Sequence, residues 1–165
     1  MELPDEVYDK ITSLSEKGDE YAEKEQFTSA LKQYEEALSL LPEPKTDWEA
    51  ATWLYVAIGD AYYNKQQLDQ AMDAYQKALM SPDGTGNPYI WFSIGQIFFE
   101  EENLEKAKTH FMSAYLLDGE EIFEEENPEY FRLINEEVQK RSKTPNNNNE
   151  GSKRNDWLPR DWDKN

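Results

Sequence analysis

An all-α fold built from helical hairpins follows from three features of this 165-residue chain. Apolar residues recur at i, i+3, i+4 and i+7 on both sides of short polar breaks, the spacing of amphipathic helices. The breaks themselves are related: EKEQF, NKQQL and EEENL. Third, Gly18, Tyr21, Phe27, Ala30, Tyr34, Ala37 and Leu38 return 41 positions later as Gly59, Tyr62, Leu68, Ala71, Tyr75, Ala78 and Leu79. After 36 more positions the set returns again as Gly95, Phe98, Leu104, Ala107, Phe111, Ala114 and Tyr115. A period of this length is the mark of stacked helix-turn-helix units.

The elements follow in order. The first unit spans about 11–44. The second, about 47–85, is expected to open on a capping box of Thr46 with Glu49. The third, about 88–120, opens on Asn87-Pro88, a capping side chain just ahead of a proline at the first helical position. Asn127-Pro128 gives the same start signal to a last helix of about 128–141. Its apolar positions Tyr130, Phe131, Leu133, Ile134 and Val138 suit an amphipathic helix with no partner helix after it, as a stack of repeats needs at its open end. The folded body is thus expected over 5–140, and 142–165 is expected as a flexible or docking tail, polar and with a four-Asn run.

A glycine inside a helix costs about 1 kcal/mol against alanine. Three of them at matching places imply that two helices approach closely. The expectation is that Gly18, Gly59 and Gly95 face the small Ala30, Ala71 and Ala107, with the aromatics filling the space beside the contact.

Lys and Arg total 17 against 35 Asp and Glu, a formal charge of -18. Phosphate binding needs a basic footprint, so nucleic acid is not an expected partner. Cationic partners are favoured instead. No cysteine is present, which excludes disulfides, thiolate metal sites and cysteine catalysis. The acidic start MELPDEVYDK lacks the pattern of a leader, and no stretch approaches the ~18 apolar residues of a membrane span. A cytoplasmic protein with no membrane partner is expected.

No constellation of acid, base and nucleophile can be assembled, so no enzyme, catalytic residue or cofactor is expected. His110, the single histidine, falls between core positions of a second helix and is expected to be exposed and solvated. The acidic runs GEEIFEEE and EEEN lack the alternating oxygen ligands and turn glycine of a calcium loop, and no metal site is expected. SPDGTGNP reads as a connection.

The third unit presents Trp91, Ile94, Gly95, Phe98, Ala107, Phe111 and Ala114. The second presents Tyr55, Ile58, Gly59, Tyr62, Ala71, Tyr75 and Ala78, and the first Leu14, Gly18, Tyr21, Ala30, Tyr34, Ala37 and Pro42. This set resembles the tetratricopeptide repeat, a unit of about 34 residues with the signature W-x2-L-G-x2-Y, then A-x3-F, then A and P. Lys17 and Gly119 depart from it, and both spacings are lengthened by the connections LPEPKTDWEA and SPDGTGNP. The likeness covers about 5–120. It implies a right-handed α-solenoid of three such repeats plus a capping helix, of the small standalone bacterial type, acting as a non-enzymatic module for protein–protein interaction.

In that family the first helices line a concave groove. Carried over by alignment, the contacts fall on Ser15, Asp19 and Glu23, then on Trp53, Val56, Asp60, Tyr63 and Asn64, then on Tyr89, Phe92, Gln96, Phe99 and Glu100. An acidic, aromatic groove of this kind suits a basic or apolar peptide or protein. Family members that clamp acidic chaperone C-termini use Lys, Arg and Asn at places that read Ser15, Asp19, Ala57, Tyr89 and Ser93 here, with no cation among them. In the tail, NDWLPRDW sets Trp157, Leu158, Arg160 and Trp162 in a polar stretch that resembles a short linear ligand, for its own groove, a second copy or another protein. The ending GEEIFEEENPEYF is also similar to that of bacterial repeat proteins found beside polymorphic-toxin genes, which implies an immunity role against a cationic toxin domain. A third implied role is a scaffold that self-associates through its ends or its tail.

Overall fold

The structure is a computed structural model. It describes residues 2–143; the ligand-like residues Trp157, Leu158, Arg160 and Trp162 lie outside the described residues. Those residues form seven α-helices and no strand: α1 Asp5–Glu23, α2 Phe27–Ser39, α3 Glu49–Asn64, α4 Leu68–Met80, α5 Pro88–Glu100, α6 Leu104–Asp118 and α7 Pro128–Lys143. The chain divides between Thr85 and Gly86 into two compact units.

In the first unit α1 pairs with α2, α3 pairs with α4, and α2 packs on α3. In the second, α5 pairs with α6, and α7 packs on α6. All three hairpin turns are built alike. Glu25, Gln66 and Glu102 stand at φ 57, 59 and 60, the left-handed conformation. The N–H of the next residue then reaches back five residues, Gln26 to Tyr21 O, Gln67 to Tyr62 O and Asn103 to Phe98 O, each at 2.9 Å. This is the Schellman closure of a helix end, made here without glycine. The related polar breaks in the sequence are this one turn written three times.

The starts of the helices divide. Asn87 Oδ1 accepts from Tyr89 N–H at 3.0 Å, and Asn127 Oδ1 accepts from Glu129 N–H at 3.0 Å, as their proline contexts predict. The expected Thr46–Glu49 capping box does not form. Thr46 sits in a short 3-10 turn, Lys45–Asp47, and Trp48 takes the capping place of α3 with no side-chain hydrogen bond. Its indole instead donates from Nε1 to Pro42 O at 2.9 Å, tying the connection back on itself.

The glycines are where close packing requires them, and the atoms nearest to a Cβ there are ring carbons rather than the alanines. A Cβ on Gly59 would lie 2.6 Å from a ring carbon of Tyr75, and one on Gly95 would lie 2.6 Å from Phe111. At Gly18 the ring of Tyr34 takes the same place. Ala30, Ala71 and Ala107 are buried four residues earlier on the same helix face. Each aromatic ring therefore lies across the facing helix, and glycine is the residue that leaves it room.

In α7, Tyr130, Ile134 and Val138 are buried, while Glu129, Arg132, Asn135, Glu136 and Gln139 face solvent. The helix covers the end of the second unit with an apolar face and presents a charged one to water. Among the described residues no helix is long and apolar enough to cross a membrane, and no group of three or more His, Cys, Asp or Glu side chains could hold a metal ion.

Candidate functional site

In the first unit, each glycine of the repeat is followed by an aspartate with a defined bond. Tyr34 Oη donates to Asp19 Oδ1 at 2.6 Å, and Tyr75 Oη donates to Asp60 Oδ1 at 2.5 Å. Burial, then the bond to Asp19, holds the Tyr34 phenol well above its ordinary pKa, and the charge of Asp60 adds to the shift. These two aspartates therefore anchor the rings that fill the glycine notches. In α5/α6 both members change together: Gln96 stands where Asp60 would, and Phe111 has no hydroxyl to anchor.

The other sequence-predicted residues of the first unit separate by exposure. Trp53 on α3 is 39 % exposed, Glu23 and Asn64 are exposed, and Val56 and Tyr63 are half-buried. Asn64 Nδ2 donates to Asp60 O at 2.8 Å. Ser15 is buried, and its hydroxyl donates to Ile11 O at 2.9 Å, so it offers nothing to a ligand.

In the second unit Tyr89 is 44 % exposed, Glu100 is exposed, and Gln96 and Phe99 are half-buried. Phe99 meets Tyr130 edge-on at 5.0 Å. Phe92, predicted as a contact residue, is instead core. It is 2 % exposed, with ring centroids of Phe111, Phe123 and Tyr130 at 5.5, 5.4 and 5.8 Å. Phe123 and Tyr130 come from the acidic turn and from α7, outside the repeated pattern, and they close over it.

His110 is also corrected. It is 5 % exposed, its Nδ1–H donates to Lys106 O at 2.8 Å, and its ring lies 5.7 Å from Trp91 and 5.0 Å from Phe98. Loss of hydration lowers its pKa, with the charge of Lys106 adding to that and the backbone bond opposing it. A buried neutral imidazole packed on rings is a structural group.

One feature escaped the sequence reading. Between α2, α3 and α4 lies a groove of about 420 Å³, with Tyr55 and Tyr62 as walls and Glu35, Asp69 and Asp73 at its rim. The signal was present in the repeat alignment, where Ala74 falls on the position of His110.

Paired antiparallel helices with a small residue, an aromatic ring and a Schellman turn at fixed places define a helical-repeat protein. The chain belongs to the tetratricopeptide repeat family, whose profile matches residues 11–44, 54–81 and 88–121. Among curated relatives, TPR repeat-containing protein MJ1428 of Methanocaldococcus jannaschii is 25% identical over 121 residues, 73% of this chain and 21% of that protein. General transcriptional corepressor ssn6 of Schizosaccharomyces pombe is 30% identical over 95 residues, 58% of this chain and 8% of that protein. The chain thus spans about a fifth of the first relative and less than a tenth of the second. Among solved structures, the first TPR of Spaghetti (RPAP3) bound to HSP90 peptide SRMEEVD is similar with TM-score 0.61 at 18% identity, over 81% of this chain and 94% of that one. The Arabidopsis OM64 TPR domain is similar with TM-score 0.62 at 18% identity, over 82% and 98%. These likenesses establish the fold.

Proposed function

We propose that this chain is a protein–protein interaction module whose ligand is a basic or apolar segment of another protein, held on exposed and half-buried first-helix residues of each unit. In the first unit these are Asp19, Glu23, Trp53, Val56, Asp60, Tyr63 and Asn64; in the second, Tyr89, Gln96, Phe99 and Glu100. The observation that carries the reading is Trp53, an indole left 39 % exposed on a helix whose Leu54, Tyr55 and Ile58 are buried. A partly exposed tryptophan on a chain of formal charge -18 has the make-up of a binding hot spot for a ligand that is apolar at its centre and positive around it.

The acidic peptide held by the RPAP3 domain does not suit this surface. At the clamp positions Ser15 and Ser93 are buried with their hydroxyls donating to Ile11 O and Tyr89 O, and Asp19 carries a negative charge of its own. The test is a peptide array probed with the full chain and with Trp53→Ala. Basic and aromatic sequences are expected to be retained by the first and lost by the second; preferential capture of acidic C-terminal peptides by both would overturn the reading.

The formal charge of -18 favours a second reading, neutralisation of a cationic toxin domain. A basic nuclease bound tightly at 50 mM salt and released at 500 mM would support it, since screening removes long-range attraction between exposed charges. Binding indifferent to salt would exclude it.

A further inference from the structure

The α3/α4 and α5/α6 hairpins carry the same backbone motif with different side chains at one place, and the difference opens a site. In α5/α6 the space between the helices beside Ile94 is filled by the chain itself. The planar imidazole of His110 lies 5.7 Å from Trp91 and 5.0 Å from Phe98, and Lys106 Nζ stands 5.4 Å over the Phe98 ring. In α3/α4 the two walls are again aromatic, Tyr55 and Tyr62, beside Ile58 at the place of Ile94. Ala74 stands where the imidazole would be. A methyl group in place of a ring leaves the groove of about 420 Å³, closed on its third side by Glu35 and Leu38 of α2.

Its chemistry is that of a cation receptor. Glu35, Asp69 and Asp73 set three carboxylates on the rim against one ammonium, Lys77. Lys77 already marks the preference: its Nζ is 2.9 Å from Asp73 Oδ2 and 5.8 Å from the centroid of the Tyr55 ring. Glu35 accepts from Tyr62 Oη at 3.2 Å, and no ion pair joins Glu35 or Asp69 to a cation among the described residues. Two aromatic rings, the apolar Ile58 and Ala74, and the carboxylates of Glu35 and Asp69 that no cation pairs among the described residues together match a guanidinium, which packs on aromatic rings and takes carboxylates in its fork.

We infer that this groove, apart from the first-helix surface, receives an arginine side chain presented by a partner protein. It thereby supplies from outside the planar nitrogen group that the α5/α6 hairpin supplies from within.

The test is a two-dimensional NMR titration of the full chain with N-acetyl-arginine amide, and with N-acetyl-citrulline amide, the neutral side chain of the same shape. The arginine probe is expected to move the resonances of Tyr55, Tyr62, Ala74 and Lys77, with the citrulline probe binding about tenfold more weakly. Ala74→His inserts the plug used by the other hairpin and is expected to abolish the shifts. Should that variant not fold, Asp69→Asn with Glu35→Gln removes two exposed charges and is expected to weaken binding several-fold. Trp53→Ala is expected to leave the titration unchanged, which separates this site from the first-helix surface. Equal binding of the two probes, absence of shifts at the groove, or retention of binding by Ala74→His would overturn the inference. Groove shifts that grow with protein concentration alone would place a second copy there, and shifts in residues 153–162 caused by Ala74→His without probe would place the chain's own segment there; either overturns it.

Discussion

Gly59→Ala adds one methyl group to α3 and tests the central packing claim directly. The new Cβ would lie 2.6, 2.8 and 2.9 Å from Cε1, Cδ1 and Cζ of Tyr75, where ordinary carbon contacts sit at about 3.5–4.0 Å. The ring must withdraw by about 1 Å to restore contact distance. It has nowhere to go, because Tyr75 is 2 % exposed and its hydroxyl is bonded to Asp60 at 2.5 Å. Overpacking of this kind costs about 1–3 kcal/mol, and loosening a hydrogen bond to a charged acceptor costs about 1.5–3 kcal/mol. Alanine returns about 1 kcal/mol through helix propensity. The expected net loss is about 1.5–5 kcal/mol, read as a lowered urea midpoint by far-UV circular dichroism. Gly95→Ala makes an equally close approach, at 2.6 Å to Phe111, but no hydroxyl is at stake, so its loss is expected to be smaller, about 0–2 kcal/mol. Gly86→Ala, with nothing within 4 Å of the new atom, is the control and is expected to change little. Full stability in Gly59→Ala, or a larger loss in Gly95→Ala than in Gly59→Ala, would refute the reasoning.

Three further outcomes follow from the same structure. Gln66→Gly relieves a left-handed residue at φ 59 in the Schellman turn and is expected to stabilise by about 0.5–1 kcal/mol; a midpoint equal to or below that of the wild type contradicts this. Folding lowers the pKa of His110, so the unfolded chain takes up a proton first, at about pH 6.5, and the folded state loses stability as pH falls through that value until the folded imidazole is also protonated. Wild type is therefore expected to lose stability relative to His110→Phe between pH 7 and pH 5, and parallel profiles would exclude a buried neutral imidazole. Phe92→Ala empties a core position and is expected to cost about 3–5 kcal/mol, whereas Trp53→Ala at the surface is expected to cost less than about 1 kcal/mol; thermal melts of the pair separate core from contact residue.

The hairpins were legible because their signals are local. A left-handed turn residue, a glycine, an alanine and an aromatic at fixed spacing state the turn and the crossing three times over. What a period cannot state is which of two residues on one helix face reaches the partner. Ala71 and Tyr75 lie one turn apart on the same side of α4, and it is the longer side chain, pinned by Asp60, that crosses to Gly59. Local spacing was also silent on Phe92, which aligns with the buried Ser15 and the half-buried Val56. Its burial depends on Phe123 and Tyr130, which arrive from segments that do not repeat.

His110 is the reverse case. Its position aligns with Ala74, a buried alanine, and with the half-buried Gln33, so a place between core positions can still be covered. Sequence reasoning instead took a polar residue placed between core positions as facing solvent. Burial and polarity are reconciled by a single hydrogen bond to Lys106 O and two flanking rings, which make the imidazole an apolar filler with one satisfied donor. The same comparison read in the other direction exposes what Ala74 omits. Where repeats share a backbone, a residue that fills a space in one copy measures the space left open in another, and that unfilled volume, with its own walls and charges, is where a repeat protein differs from its family.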